Sequence, residues 1–260
     1  MIVLYGILLL VVALLAIAVI RAAMLKPTPA LTAEPPKADA ARARAYAEKL
    51  AAMVRQETVS SRFDPSRSKF ENFQESLPAL FPRVFAACQV AHPGAGLVLR
   101  LPGKGSSKKE PILLMSHHDV VAATEQGWEH APFSGDIDAA GRIWGRGTVD
   151  TKGSLMCELQ ALEELLKENW QPDVDVYITS SCTEEWSGDS APAIVAYLKE
   201  QGVHLGMLVD EGGMILKEPI AGVKGRYCIV GVLEKGYGDV KFIARGKGGH
   251  ASAPGKHTPL

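Results

Sequence analysis

The stretch "GSLMCELQALEELLKENWQPDVDVYITSSC", residues 153–182, decides the fold class of this chain. Leu155, Leu159, Leu162 and Leu166 recur at steps of three and four, the stripe of a helix that buries one face, and Gly153 precedes them. Beyond Pro172 the period drops to two. Val174, Val176 and Ile178 then share one side of an extended segment, as in a strand. The flanks repeat the alternation. Tyr46, Leu50, Met53 and Val54 predict a helix over 41–57, and a second helix is expected over 69–88, interrupted near Pro82. Ile112–Met115 and Met207–Val209 read as short buried strands. Strand and helix in alternation predict an α/β domain built in layers on a mixed sheet.

Composition narrows the function classes. The 260 residues are 47% hydrophobic and 22% charged, as in folded proteins, and 28 basic residues against 29 acidic leave a net charge of −1. No basic field exists for nucleic acid, and no acidic tail argues for disorder. Cys88, Cys157, Cys182 and Cys228 form no C-x-x-C pair, which argues against a zinc–thiolate site or a dense disulfide framework. Ile2–Ile20, "IVLYGILLLVVALLAIAVI", carries no charge over a helical length of about 28 Å, close to the hydrocarbon thickness of a bilayer. It lacks a basic leader and a small-x-small cleavage signal, so a retained single-pass anchor is expected over a secretory signal that is removed. Arg21 and Lys26 follow the span; two charges leave the side of the membrane open. The expected organisation is an anchor over 1–24, a Pro- and Ala-rich linker over 25–40, a folded α/β domain over 41–236, and the opening of a second domain over 237–260.

Four polar clusters fall where strands should end: "SHHD" at 116–119, "GRGTVDTKG" at 145–153, "CTEEWSG" at 182–188 and "VDEGG" at 209–213. Open α/β sheets place their sites there, where loops converge. A lone His-x-Asp or Glu-Glu is ordinary surface, but four such clusters at four strand ends are not. Adjacent carboxylates after an apolar strand are costly to bury unless they hold a cation or share a proton. His117, Asp150, Glu185 and Asp210 can supply the ligands of a two-metal hydrolase, with Asp150 as the bridge and Glu184 left free as general base. Residues i and i+2 of an extended segment share a face. Asp119 is thus expected to accept the second ring N–H of His117, while His118 points away and should tolerate substitution.

"MSHHDVV", "GRGTVDTKG", "TSSCTEEWSG", "VDEGG" and "RGKGGHASAP" resemble, in order and spacing, the co-catalytic zinc peptidases that include aminoacylase, carboxypeptidase S and N-fatty-acyl-amino-acid synthase/hydrolase. The resemblance runs from about Ala41 to the C-terminus and is nearest in form to the carboxypeptidase S branch. It implies two zinc ions, one on His117, Asp150 and Asp210, the other on Asp150 and Glu185. Glu184 would be the base, and Asp119 an orienting carboxylate. It also implies a cis Asp150–Thr151 peptide bond and an inserted α+β lid that begins near residue 237 and pairs two subunits. From that lid His250 would help to polarise the scissile carbonyl. The alternative third ligand is Glu211. The implied substrates are short peptides or N-acyl amino acids with a free carboxylate. The family's last ligand, a histidine from beyond the lid, would fall after Leu260. The complete protein is therefore expected to be active and the 260-residue chain alone severely impaired.

Plainer assignments cover the remaining residues. His92 and His130 sit in polar loops, His204 precedes an apolar run, and Cys182 has no basic partner in sequence, so a small buried residue is expected there. "GKGSSKKE" at 103–110 lacks P-loop spacing and reads as a hairpin turn. Trp128, Phe133 and Trp144 can line the site or pack its loops. The competing function class is a membrane-tethered metal-binding homologue without turnover. Glu184 argues against it, because a binding module needs no second, non-ligand carboxylate.

Overall fold

The computed structural model describes residues 2–24, 39–105, 107, 109–233, 236, 238 and 240–245. Helix α1 (Ile2–Met24) forms a unit separate from the body that begins at Arg42. By length and composition it could cross a membrane as an anchor or serve as a signal sequence.

The body contains α2 (Ala40–Arg55), α3 (Ser68–Leu80) and α4 (Pro82–Ala87), then the strands β1 (Gln89–Ala91), β2 (Leu97–Leu101) and β3 (Ile112–His117). A small ribbon, β4 (Asp136–Ile137) with β5 (Ile143–Trp144), precedes α5 (Lys152–Lys167), β6 (Val176–Ser181), α6 (Ser190–Glu200) and β7 (Met207–Val209). β8 (Met214–Lys217) and β9 (Arg226–Ile229) form a separate antiparallel hairpin. Among the described residues five strands make one mixed sheet in the order β1-β2-β6-β3-β7. β6, β3 and β7 run parallel, and β1 and β2 lie antiparallel at the edge.

The leucine stripe of α5 does what its spacing predicts. Leu155, Leu159 and Leu162 join Met53 and Phe73 against Val176 and Ile178 on one face of the sheet. On the other face Tyr177 packs with Ile194 and Leu198 of α6. β6 is therefore buried on both faces, and the one-sided alternation expected of it holds for only half its side chains. This is the usual state of a parallel strand with helices on both sides. The helix expected over 69–88 is two, broken at Phe81, where the proline at residue 82 starts α4. β2 and β3 do not pair with each other as the strands of a hairpin would: both lie against β6, on opposite sides. Residues 240–245 have no regular structure.

Candidate metal centre

The carboxyl ends of β3, β6 and β7 lie side by side, so the loops that follow them converge. β3 ends at His117, in register with Ser181 of β6. The ring Nδ1 of His117 lies 2.9 Å from the backbone carbonyl of Asp119. A carbonyl only accepts, so Nδ1 carries the hydrogen and Nε2 faces the other loops. Three carboxylates surround that atom: Asp150 Oδ1 at 2.9 Å, Glu211 Oε2 at 3.5 Å and Glu184 Oε2 at 3.7 Å. His117, Asp150 and Glu211 offer donor atoms all within 4.8 Å of one another. One imidazole nitrogen and two carboxylate oxygens suit a borderline divalent cation.

Asp150 reaches the cluster from a loop pressed against the body. Gly147 takes φ +88°, and a Cβ there would lie 2.8 Å from Val120 Cγ1, so the glycine admits the close approach. The Asp150–Thr151 peptide bond is cis, as the resemblance implies. Lys152, fully buried, donates from Nζ to the carbonyls of Met53 (3.1 Å) and Gln56 (2.6 Å). It thus ties the start of α5 to the last turn of α2.

Glu184 and Glu185 stand on a 3₁₀ turn, Glu184–Trp186. Successive side chains of such a turn diverge, so the two carboxylates can serve different targets. Glu185 Oε1 accepts from the Val121 N–H at 3.1 Å. Burial, reinforced by Asp150, raises its pKa; burial also raises that of Glu184, helped by Glu211, Asp119 and Asp150 and opposed by His117. Asp119 is fully buried, and its carboxylate does more than orient His117, whose Nδ1 lies 3.5 Å from Oδ1. It accepts the backbone N–H groups of Glu184 (3.1 Å) and Glu185 (3.2 Å) and the hydroxyl of Ser60 (2.6 Å).

Of the two carboxylates after β7, Glu211 lies with His117 and Asp150, and Asp210 Oδ1 accepts the Glu211 N–H at 2.8 Å. His118 is no dispensable bystander. It is fully buried, stacked on Phe73 at 5.1 Å and hydrogen-bonded to Ser180 Oγ at 2.9 Å, and burial pushes its pKa down to about 3. Glu158 on α5 went unremarked in the sequence. Its Oε2 accepts from Ser116 at 3.1 Å, and burial, with Asp210 nearby, pushes its pKa up to about 7. Its place three residues after Leu155, on the flank of the leucine stripe, was the available signal. His250 lies outside the described residues.

Proton competition follows from this geometry. Burial opposes the charge on His117, but Asp119 and Glu211 outweigh it and raise its pKa to about 10 in the metal-free protein. The ring is then protonated at neutral pH, and a metal ion must displace that proton. Metal binding at pH 7 is expected to release about one proton from His117, and apparent affinity to rise about tenfold per pH unit until it levels off above pH 10. Calorimetry in buffers of different ionisation heat measures the release; none would refute this picture of His117.

A mixed sheet whose strand ends gather one histidine and several carboxylates could hold a metal ion there. The sequence profile of peptidase family M20/M25/M40 matches residues 113–244, half of the chain, and the chain belongs to that metal-dependent family. The N-fatty-acyl-amino acid synthase/hydrolase of Mus musculus is 38% identical over 220 residues, which cover 83% of this chain and 44% of that protein. The probable carboxypeptidase S-like 2 of Dictyostelium discoideum is 35% identical over 206 residues, 77% of this chain and 39% of that one. The chain thus spans less than half the length of these relatives. In fold it is similar to the di-peptidase Dug1p of Saccharomyces cerevisiae (TM-score 0.53, 19% identity, 68% of this chain and 40% of that one). It is also similar to human carnosine dipeptidase 1 (TM-score 0.52, 17% identity, 66% and 39%).

Proposed function

We propose that the complete protein is a two-zinc hydrolase that cleaves the amide bond of short peptides or N-acyl amino acids beside a free carboxylate. The observation that carries this reading is the convergence of His117, Asp150 and Glu211 on one point, with the non-ligand carboxylate of Glu184 beside it. His117, Asp150 and Glu211 would hold one ion, and Asp150 and Glu185 would serve a second. Bound zinc supplies a water of lowered pKa and polarises the substrate carbonyl. Glu184 takes the proton from the attacking water and passes it to the leaving nitrogen. Asp119 keeps His117 aimed. His250 supports the developing oxyanion from a lid that begins near residue 237, through which two subunits pair. α1 tethers the catalytic domain, 41–236, to a membrane through the 25–40 linker.

The test is turnover of N-acyl amino acids and dipeptides by the complete protein, with zinc and after chelation. No metal-dependent cleavage of either class would sink the reading. The third ligand is tested separately. Glu211→Gln should weaken metal binding at least tenfold more than Asp210→Asn, measured by competition with a chelating dye. The opposite order would return the role to Asp210.

A further inference from the structure

Ser60 lies outside every motif and 59 residues from the carboxylate it touches. α2 ends at Arg55, and the chain then runs extended beside the end of β3. Val59 pairs with Val120 in a parallel bridge. The Ser60 N–H donates to the Val120 carbonyl at 3.1 Å, the Val120 N–H to the Thr58 carbonyl at 3.0 Å, and Thr58 Oγ1 to the His118 carbonyl at 2.5 Å. Residues 58–60 are thereby fixed as a short strap along 118–120, and the strap delivers the Ser60 hydroxyl to Asp119 Oδ2 at 2.6 Å.

That carboxylate touches both halves of the site. Its Oδ1 faces His117 and accepts from Glu184 N, and its Oδ2 accepts from Glu185 N. Rotation about the Asp119 side chain would shift His117 and the Glu184–Glu185 turn together. Its two backbone donors, Glu184 N and Glu185 N, belong to that turn and move with it. Ser60 comes from a third segment, separately anchored.

We infer that Ser60 is a positioning residue, whose hydroxyl locks Asp119 and so fixes the spacing between the metal ligand His117 and the Glu184–Glu185 turn. This rests on the metal-centre reading above. A hydrogen bond to an ionised group is among the stronger ones, and loss of a partner behind a metal ligand typically weakens metal binding about tenfold to a hundredfold.

The experiment is cobalt(II) titration of the full 260-residue chain in detergent, followed by the visible absorption of the ion. Ser60→Ala should bind cobalt about tenfold or more weakly than the unaltered chain, with an altered absorption band, and Ser60→Thr, which keeps the hydroxyl, should restore both. Ser60→Ala placed on an Asp119→Asn background should add little, because the two act through one carboxylate. Equal affinity and spectrum in Ser60→Ala, no recovery in Ser60→Thr, or full additivity in the double variant would each overturn the inference alone. Failure of the unaltered chain to bind cobalt would overturn the metal-centre reading, and the inference with it.

Discussion

Glu184→Gln in the complete protein is expected to lower kcat by about 10²–10⁴-fold while metal content stays unchanged. Glutamine matches glutamate in shape but cannot accept a proton. Glu184 Oε2 stands 3.7 Å from His117 Nε2, beside the donor set but outside it. Losing its charge should therefore leave the ligands in place. Its backbone N–H, held by Asp119, is unaffected by the change, so the turn keeps its position. Burial raises the carboxyl's pKa above the ordinary glutamate value, which makes it a stronger base than an exposed carboxylate. Such a base works only when deprotonated, so turnover should fall as pH falls through the raised pKa. Steady-state rates alongside metal analysis decide the matter. A glutamine variant with full activity would remove Glu184 from the chemistry.

Much of this site is legible in sequence because its residues sit at strand ends, and strand ends leave local marks. β3 and β7 were readable as short apolar runs, and each is followed at once by polar residues that reach the centre. Pairings between distant segments leave no such mark. Nothing in "ETVSS" announces that residues 58–60 lie along 118–120, and nothing in Lys152 announces carbonyl partners 96 and 99 residues away. Side-chain aim is the other gap. Asp210 and Glu211 are adjacent acids on one turn, and only the path of that turn settles which faces His117. Period-two reasoning correctly sent His118 to the face opposite His117. It could not show that α3 covers that face with Phe70 and Phe73.

The two adjacent histidines should accordingly fail in opposite ways. His117→Ala removes the only imidazole among the gathered donors, and metal binding at its site should be abolished. His118→Ala empties a fully buried space between Phe70 and Phe73 and leaves Ser180 Oγ without its ring partner. A large-to-small change in such a place costs about 3 kcal/mol, or roughly 10 °C in Tm for a domain of this size. The separating measurement is thermal unfolding with and without metal, because a ligand stabilises only a folded state that binds it. At a free concentration a hundredfold above Kd, metal should add about 2.7 kcal/mol to the unaltered protein. His118→Ala should start from a lower Tm and retain most of that metal-induced gain. His117→Ala should lose most of that gain, whatever its starting Tm. An undiminished gain in His117→Ala would remove this residue from the ligand set. An unchanged metal-free Tm in His118→Ala would mean that the stacked, hydrogen-bonded ring contributes nothing to the core it fills.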